Sequence, residues 1–428
     1  MLIKNVRITD PASNTDVTGD IHIEGHTISR IVPGGSDEAD ERVIDGSGLV
    51  AVPGLVDAHV HFREPGFEYK EDIDTGAASA ASGGFTSVIM MANTRPAIDN
   101  PDTLKEVLDR AASQNINVYT CADVTEGLRG ERLTDMKLLR GLGAVGFTDD
   151  GIPILDPDIV RQAMTMAAGL GVPLSFHEED PAYITNNGIN AGKASEYYKI
   201  GGSPRAAEIS LIKRDIDIAS SLLETTGLCP DIVIQHISSA EGVELVREAR
   251  RTNPHIHAEA TPHHFSLTED AVIEHGTLAK MNPPLRTEAD RQAVIEGLRD
   301  GTIEMISTDH APHSPEEKAK SITEAPSGII GLETSLALGM TNLVIPGYLT
   351  LMQLIERMTV GPSGVYGITA GALKTGGPAD ITIFDPNEEW IVPDHFASRS
   401  SNTPFTGTKL TGRVIMTICG GKIVCDRR

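Results

Sequence analysis

Cysteine is scarce in this chain and scattered. Its four copies, Cys121, Cys229, Cys419 and Cys425, form no Cys-x-x-Cys pair and no dense framework. That argues against a disulfide scaffold and fits a reducing, cytoplasmic compartment. Long apolar runs are missing too: no segment approaches the roughly 18 residues that a membrane crossing requires. The opening Met1-Leu2-Ile3-Lys4-Asn5-Val6 lacks the apolar stretch of a signal peptide. Positive charge is in deficit, with 36 Lys and Arg against 60 Asp and Glu and a net charge of −24. A nucleic-acid surface would need a basic stripe, and none is present. The negative charge is spread out and serves solubility, so an anionic substrate would need a locally positive site. What remains is ordinary for a globular protein: 428 residues, 40% hydrophobic and 22% charged, enough for one large domain and a smaller one.

From about residue 50 to 310, apolar strand-like runs alternate with amphipathic stretches. The strand candidates are 50–59, 86–93, 117–124, 144–149, 173–177, 231–236, 255–261 and 303–309. Helical patterns lie between them at 102–114, 157–170 and 206–226; in the last, Ile209, Ile212, Ile216 and Leu223 recur at core-facing spacing. Eight such units predict an α/β fold, a (β/α)8 TIM-like barrel. Both ends instead alternate apolar and polar positions, as at Ile21 and Ile23 or at Ile381 and Ile383. Neither end buries much alone, so the expectation is a small β-sandwich domain built from both chain termini. The boundaries expected are 1–50 and 366–428 for the small domain and 51–365 for the barrel.

The most informative local feature is Val56-Asp57-Ala58-His59-Val60-His61. In a strand, residues i and i+2 point to the same side, so both imidazoles leave one strand end toward a common point, as two ligands of one metal do. A pair of polar residues on a solvated edge strand is the plain alternative, but the preceding run Leu49-Val50-Ala51-Val52 resembles a strand buried on both faces. Other strand ends carry matching groups: Asn93 after the second, Asp150 after the fourth, His177 after the fifth, His236 after the sixth and Asp309 after the eighth. Reactive residues of such barrels gather where strands end. Four histidines and two aspartates exceed the needs of one catalytic zinc and suit two ions bridged by a carboxylate. Imidazole with carboxylate favours Zn2+, although manganese or cobalt suits the same ligands. The chemistry expected is hydrolysis, or its reverse, at a carbonyl, by a metal-activated hydroxide.

These motifs, with Gly48-Leu49-Val50-Ala51-Val52-Pro53-Gly54-Leu55-Val56-Asp57 and Gly377-Pro378-Ala379-Asp380, resemble the amidohydrolase superfamily. Within it, His59-Val60-His61-Phe62-Arg63-Glu64-Pro65-Gly66, Met91-Ala92-Asn93-Thr94, Lys280-Met281-Asn282-Pro283-Pro284-Leu285-Arg286 and Thr308-Asp309-His310-Ala311-Pro312-His313 resemble the dihydroorotase family. The resemblance spans essentially the whole chain. It implies reversible hydrolysis and cyclisation between L-dihydroorotate and N-carbamoyl-L-aspartate in pyrimidine biosynthesis. One metal would sit on His59, His61, Asp150 and Asp309, the other on bridging Asp150, His177 and His236, with Asp309 also the general acid/base. Arg63, Asn93 and His313 would hold the substrate carboxylate, Asn282 the ring amide, and the backbone at Ser327 and Gly328 would touch the substrate. Arg63 also makes sense by itself, since its planar fork pairs bidentately with a carboxylate. A homodimer is implied by the resemblance and not by the residues.

Many relatives bridge their metals with a carboxylated lysine at the end of strand four. Gly143-Ala144-Val145-Gly146-Phe147-Thr148-Asp149-Asp150 has none, which resembles the class I bacterial branch bridged by aspartate and disfavours an allantoinase or hydantoinase. Spacing leaves Asp149 open beside the preferred Asp150, and a shorter bridge puts full occupancy of the second site in question. A non-catalytic relative is the other rival, although such relatives characteristically lose metal ligands. Asp57 is expected to orient a ligand. His263, His264, His255 and His257 are expected to be structural, Glu178 and Glu179 loop carboxylates, and His22, His26, His275 and His395 surface residues. Residues 313–331, polar and then rich in Pro and Gly, fit a lid over the site.

Overall fold

The computed structural model describes residues 1–36 and 42–428. Five strands come first: β1 (Leu2–Asp10), β2 (Thr15–Glu24), β3 (Thr27–Pro33), β4 (Val43–Asp45) and β5 (Val50–Pro53). Gly54 then divides the apolar run between two sheets. The run expected to be one strand, 50–59, is β5 followed by β6 (Leu55–Val60). The Gly54 amide donates to the Asp380 carbonyl at 2.9 Å, and a Cβ at this position would overlap the Thr86 side chain. A residue without a side chain is therefore needed where the chain leaves one sheet for the other.

The barrel consists of β6, β7 (Phe85–Met90), β8 (Asn117–Thr120), β9 (Phe147–Thr148), β10 (Leu174–Phe176), β11 (Ile232–Ile234), β12 (Ile256–Ala260) and β13 (Met305–Ile306). Neighbouring strands pair in parallel within β6–β8 and within β9–β13. Parallel bridges Ala122–Phe147 and Val60–His310 close the ring. All eight candidate strands are present, each shorter than its apolar run. Helices cover the outside, and Pro157–Leu170 shows why they form where the pattern indicates. Asp156 caps its first turn, Pro157 opens it, and Gly171 ends it in the left-handed region. Val160, Ala163, Met164 and Ala167 face inward at helical spacing. The other two helical patterns appear as Pro101–Ala112 and Arg205–Thr226.

The chain returns to the first sheet with β14 (Ile381–Ile391), β15 (Lys409–Cys419) and β16 (Lys422–Asp426). The order is β16-β15-β14-β5-β1-β2-β3, with β4 beside β1. The two ends of the chain meet where β5 and β14 pair antiparallel, Val50 opposite Phe384. This small β-sandwich has its own core, in which Ile8 and Ile21 from one end pack with Ile383 and Met416 from the other. The fold is thus a TIM-like barrel with a β-sandwich made from both termini.

Candidate active site

The carboxyl ends of the barrel strands converge on a cavity of about 150 Å³. Of the twelve residues singled out from the sequence, eleven line it, and the twelfth, His59, lies 1% exposed among them. His59 is the penultimate residue of β6, with its side chain on the same side as His61 and the two rings 5.3 Å apart. The His61 amide donates to the His310 carbonyl at 2.9 Å, which ties the first strand to the turn carrying Asp309. Three non-glycine residues at the site hold positive φ: Arg63 at 60°, His236 at 32° and Asp309 at 47°. Such conformations cost on the order of 1 kcal/mol or more and persist where surrounding contacts enforce them. Asp57 supplies part of that enforcement, accepting from the amides of His59 and Thr308, each at 3.1 Å. Burial pushes its pKa up to about 7.

The hydrogen-bond chain fixes which atoms face inward. The Asp150 carboxylate can only accept, so the Asn93 amide nitrogen points to it at 3.0 Å. The Asn93 oxygen then meets His61 Nδ1 at 3.0 Å, which places the proton on Nδ1 and leaves the Nε2 lone pair facing Asp309 Oδ1 at 3.0 Å. His59 repeats the arrangement: Nδ1 donates to Glu259 at 2.6 Å, while the buried Nε2 has no hydrogen-bond partner among the described residues. Nε2 stands 3.5 Å from both Asp150 and Asp309. His236 Nε2 and His177 Nδ1 face each other at 3.0 Å. Against the penalty of burial, His59, His61 and His177 hold the Asp150 carboxyl well below the usual carboxylate range. Burial, with His177 and His59 nearby, holds His236 neutral.

Imidazole nitrogens and carboxylates converging on one another at these distances are the donor set that a divalent cation satisfies. Two groups have ligand atoms mutually within 4.8 Å: His59 with Asp150 and His236, and His59 with His61 and Asp309. His59 belongs to both. Asp149 turns away, accepting from the Val124 and Thr125 amides at 2.7 and 3.0 Å and from the Thr125 hydroxyl. Of the two aspartates that spacing left open, Asp150 is the one facing the histidines.

The outer wall of the cavity is polar and locally positive. Arg63 donates through Nε to the Pro312 carbonyl at 3.3 Å, and no carboxylate among the described residues reaches ion-pair distance of its guanidinium. The buried Asn282 Oδ1 also lacks a partner among the described residues. His313 Nε2 meets the Ser327 carbonyl at 2.8 Å, and burial with nearby Arg63 and Lys70 keeps the ring neutral. Asn93 lines the cavity with both ends of its amide engaged on His61 and Asp150. Gly328 needs its missing side chain: φ is 118°, and a Cβ would stand 2.6 Å from that of Ala311.

Among the residues set aside, Glu178 and Glu179 do lie in the loop after β10, but on its inner side. Both are buried, and Glu179 approaches His177 Nε2 at 3.2 Å. His264 is structural, held between the Thr261 hydroxyl at 2.8 Å and the Pro283 carbonyl at 3.0 Å. His257 contacts Glu304 and Asp231 away from the cavity. Glu259 escaped notice in the sequence. Its signal was there, a carboxylate in the buried run Ile256–Ala260, since acids are almost never fully buried unless paired.

The chain belongs to the amidohydrolase family, whose family model matches residues 50–424. A dihydroorotase of Clostridioides difficile (strain 630) is 52% identical over 426 residues, covering 99% of each chain. One of Streptococcus pyogenes serotype M1 is 49% identical with the same coverage. Among solved structures, the L-hydantoinase (dihydropyrimidinase) of Arthrobacter aurescens superposes with a TM-score of 0.88 at 25% identity, over 100% of this chain and 96% of that one. The dihydropyrimidinase of Brevibacillus agri NCHU1002 gives 0.85 at 20% identity over 100% and 95%, a likeness of fold.

Proposed function

We propose that this chain is a dihydroorotase, a metal-dependent cyclic amidohydrolase of the aspartate-bridged type that interconverts L-dihydroorotate and N-carbamoyl-L-aspartate in the cytoplasm. The observation that carries this reading is Arg63: a guanidinium with no carboxylate at ion-pair distance among the described residues, on the wall of a small cavity floored by imidazoles and carboxylates. It is supported by the full-length similarity to proteins named dihydroorotases. His59, His61, Asp150, His177, His236 and Asp309 would hold two Zn2+ ions, with Asp150 shared. When bound, these ions supply Lewis acidity, lowering the pKa of water and polarising a carbonyl.

The chain's own groups do the rest. The Arg63 fork pairs with the substrate carboxylate and sets the ring's orientation. Asn282 Oδ1 accepts the ring N–H. Asp309 takes the proton of the attacking water and delivers it to the departing ring nitrogen. Glu259 and Asn93 keep the His59 and His61 lone pairs aimed at the cavity.

The purified protein is expected to hydrolyse L-dihydroorotate and to leave hydantoin and allantoin almost untouched. Arg63→Met should raise KM for dihydroorotate about a hundredfold, the loss of a buried charge-assisted pair. Equal turnover of uncharged rings, or an unchanged KM in that variant, would assign the site to a hydantoinase-like reaction instead.

A further inference from the structure

His313, Ser327 and Gly328 form one wall of the active-site cavity, and His313 also borders a neighbouring hollow. That hollow, of about 410 Å³, is bordered by Lys318 and Asn402 as well. Asn402 belongs to the stretch between β14 and β15, outside the barrel, and is 4% exposed. Its side-chain oxygen accepts from the His313 amide at 3.0 Å. Its side-chain nitrogen donates to the Ala311 carbonyl at 3.1 Å and the Gly328 carbonyl at 3.0 Å. Its backbone carbonyl accepts from the Ile330 amide at 3.0 Å. One residue thus joins both halves of the wall.

Lys318 reinforces the same point from the other side. It is 5% exposed and donates to the Pro326 and Gly328 carbonyls at 2.9 and 3.0 Å. The Gly328 carbonyl accepts from both Asn402 and Lys318, so its two lone pairs are occupied. The Ser327 carbonyl between these anchors is left to meet His313. The segment around Asn402 is itself seated on the barrel: the Ser400 hydroxyl donates to the Lys70 carbonyl at 2.7 Å, and the Arg399 amide to Glu71 at 3.1 Å.

We infer that Asn402 and Lys318 are positioning residues that clamp the substrate-facing turn at Ser327–Gly328, making the segment between β14 and β15 a working part of the active site. The inference rests on the proposed function only for the identity of the substrate. The clamp acts through the wall, and displacement of a binding wall by a fraction of an ångström is felt in substrate affinity.

The test compares the metal-loaded wild type with Asn402→Ala, Asn402→Asp and Lys318→Met. Asn402→Asp keeps the volume and the bond to the His313 amide while removing both donors. Lys318→Met removes the other donor from a separate element. Each variant is expected to raise KM for L-dihydroorotate about tenfold, to keep kcat within roughly threefold, and to hold the same metal per chain. Hydrogen exchange should quicken at residues 311–313 and 326–330 and stay unchanged in β9–β11. A purely structural role would lower kcat through loss of folded protein at constant KM, which overturns the inference, as does exchange that matches wild type. If the wild type fails to turn over dihydroorotate, the functional reading falls, and the exchange measurement alone decides the clamp.

Discussion

Glu259 decides which nitrogen of His59 faces the cavity. A buried carboxylate on Nδ1 keeps the proton there and raises the basicity of Nε2, and partners of this kind typically change metal affinity 10- to 100-fold. Replacing Glu259 by Gln should weaken divalent-cation affinity at least about tenfold, read by competition against a chromogenic chelator; an unaltered affinity would show that the barrel wall alone orients the ring. The six ligand candidates were legible in the sequence because each sits at the end of an apolar run, a position that recurs along the chain. Glu259 and Asn402 were not, because their roles depend on partners 200 and 89 residues away; Glu179 was not, because nothing in the sequence beside His177 marks it as buried. Spacing also could not separate Asp149 from Asp150. The Val124 and Thr125 amides do so, by taking one carboxylate out of the site.

Strands and helices emerged from periodicity wherever one face was apolar and a cap residue marked the end, as in Pro157–Leu170. The division at Gly54 was not legible, since residues on both sides are equally apolar and the choice of sheet is made by pairing partners far along the chain. At the opposite end of the barrel from the site, β12 carries a separate electrostatic device. His257 is partly buried, which alone would lower its pKa, but Asp231 and Glu304 beside it raise it to about 9. A histidine whose folded-state pKa exceeds its unfolded value near 6.5 stabilises the fold fully below pH 6.5, and that contribution is lost as pH rises through 9. One pKa unit corresponds to about 1.4 kcal/mol, so the ceiling is roughly 3 kcal/mol. Thermal unfolding of the wild type followed from pH 6 to 9.5 should show this decline, and His257→Gln should flatten it. Parallel curves for the two proteins would contradict the assignment.

For the molecule as a whole, the candidate active site gathers buried carboxylates and imidazoles whose donor atoms suit a divalent cation. Binding to the folded chain alone stabilises by about 4 kcal/mol at a thousandfold excess over Kd. Stripping metal with a strong chelator should therefore lower Tm by several degrees. Zn2+ should restore it and Mg2+ should not, given the imidazole ligands; a Tm indifferent to the chelator would argue against resident metal. The overall architecture was legible in the strand count and in the alternating pattern of both ends, whereas the contribution of the segment before β15 to the cavity was not, because nothing in its composition distinguishes it from a surface loop. That contribution has a consequence during synthesis. Asn402 and the two strands after it leave the ribosome some 340 residues behind His59 and His61. A polypeptide cut short before Asn402 would carry all six candidate ligands and still lack the brace for the turn at Ser327–Gly328.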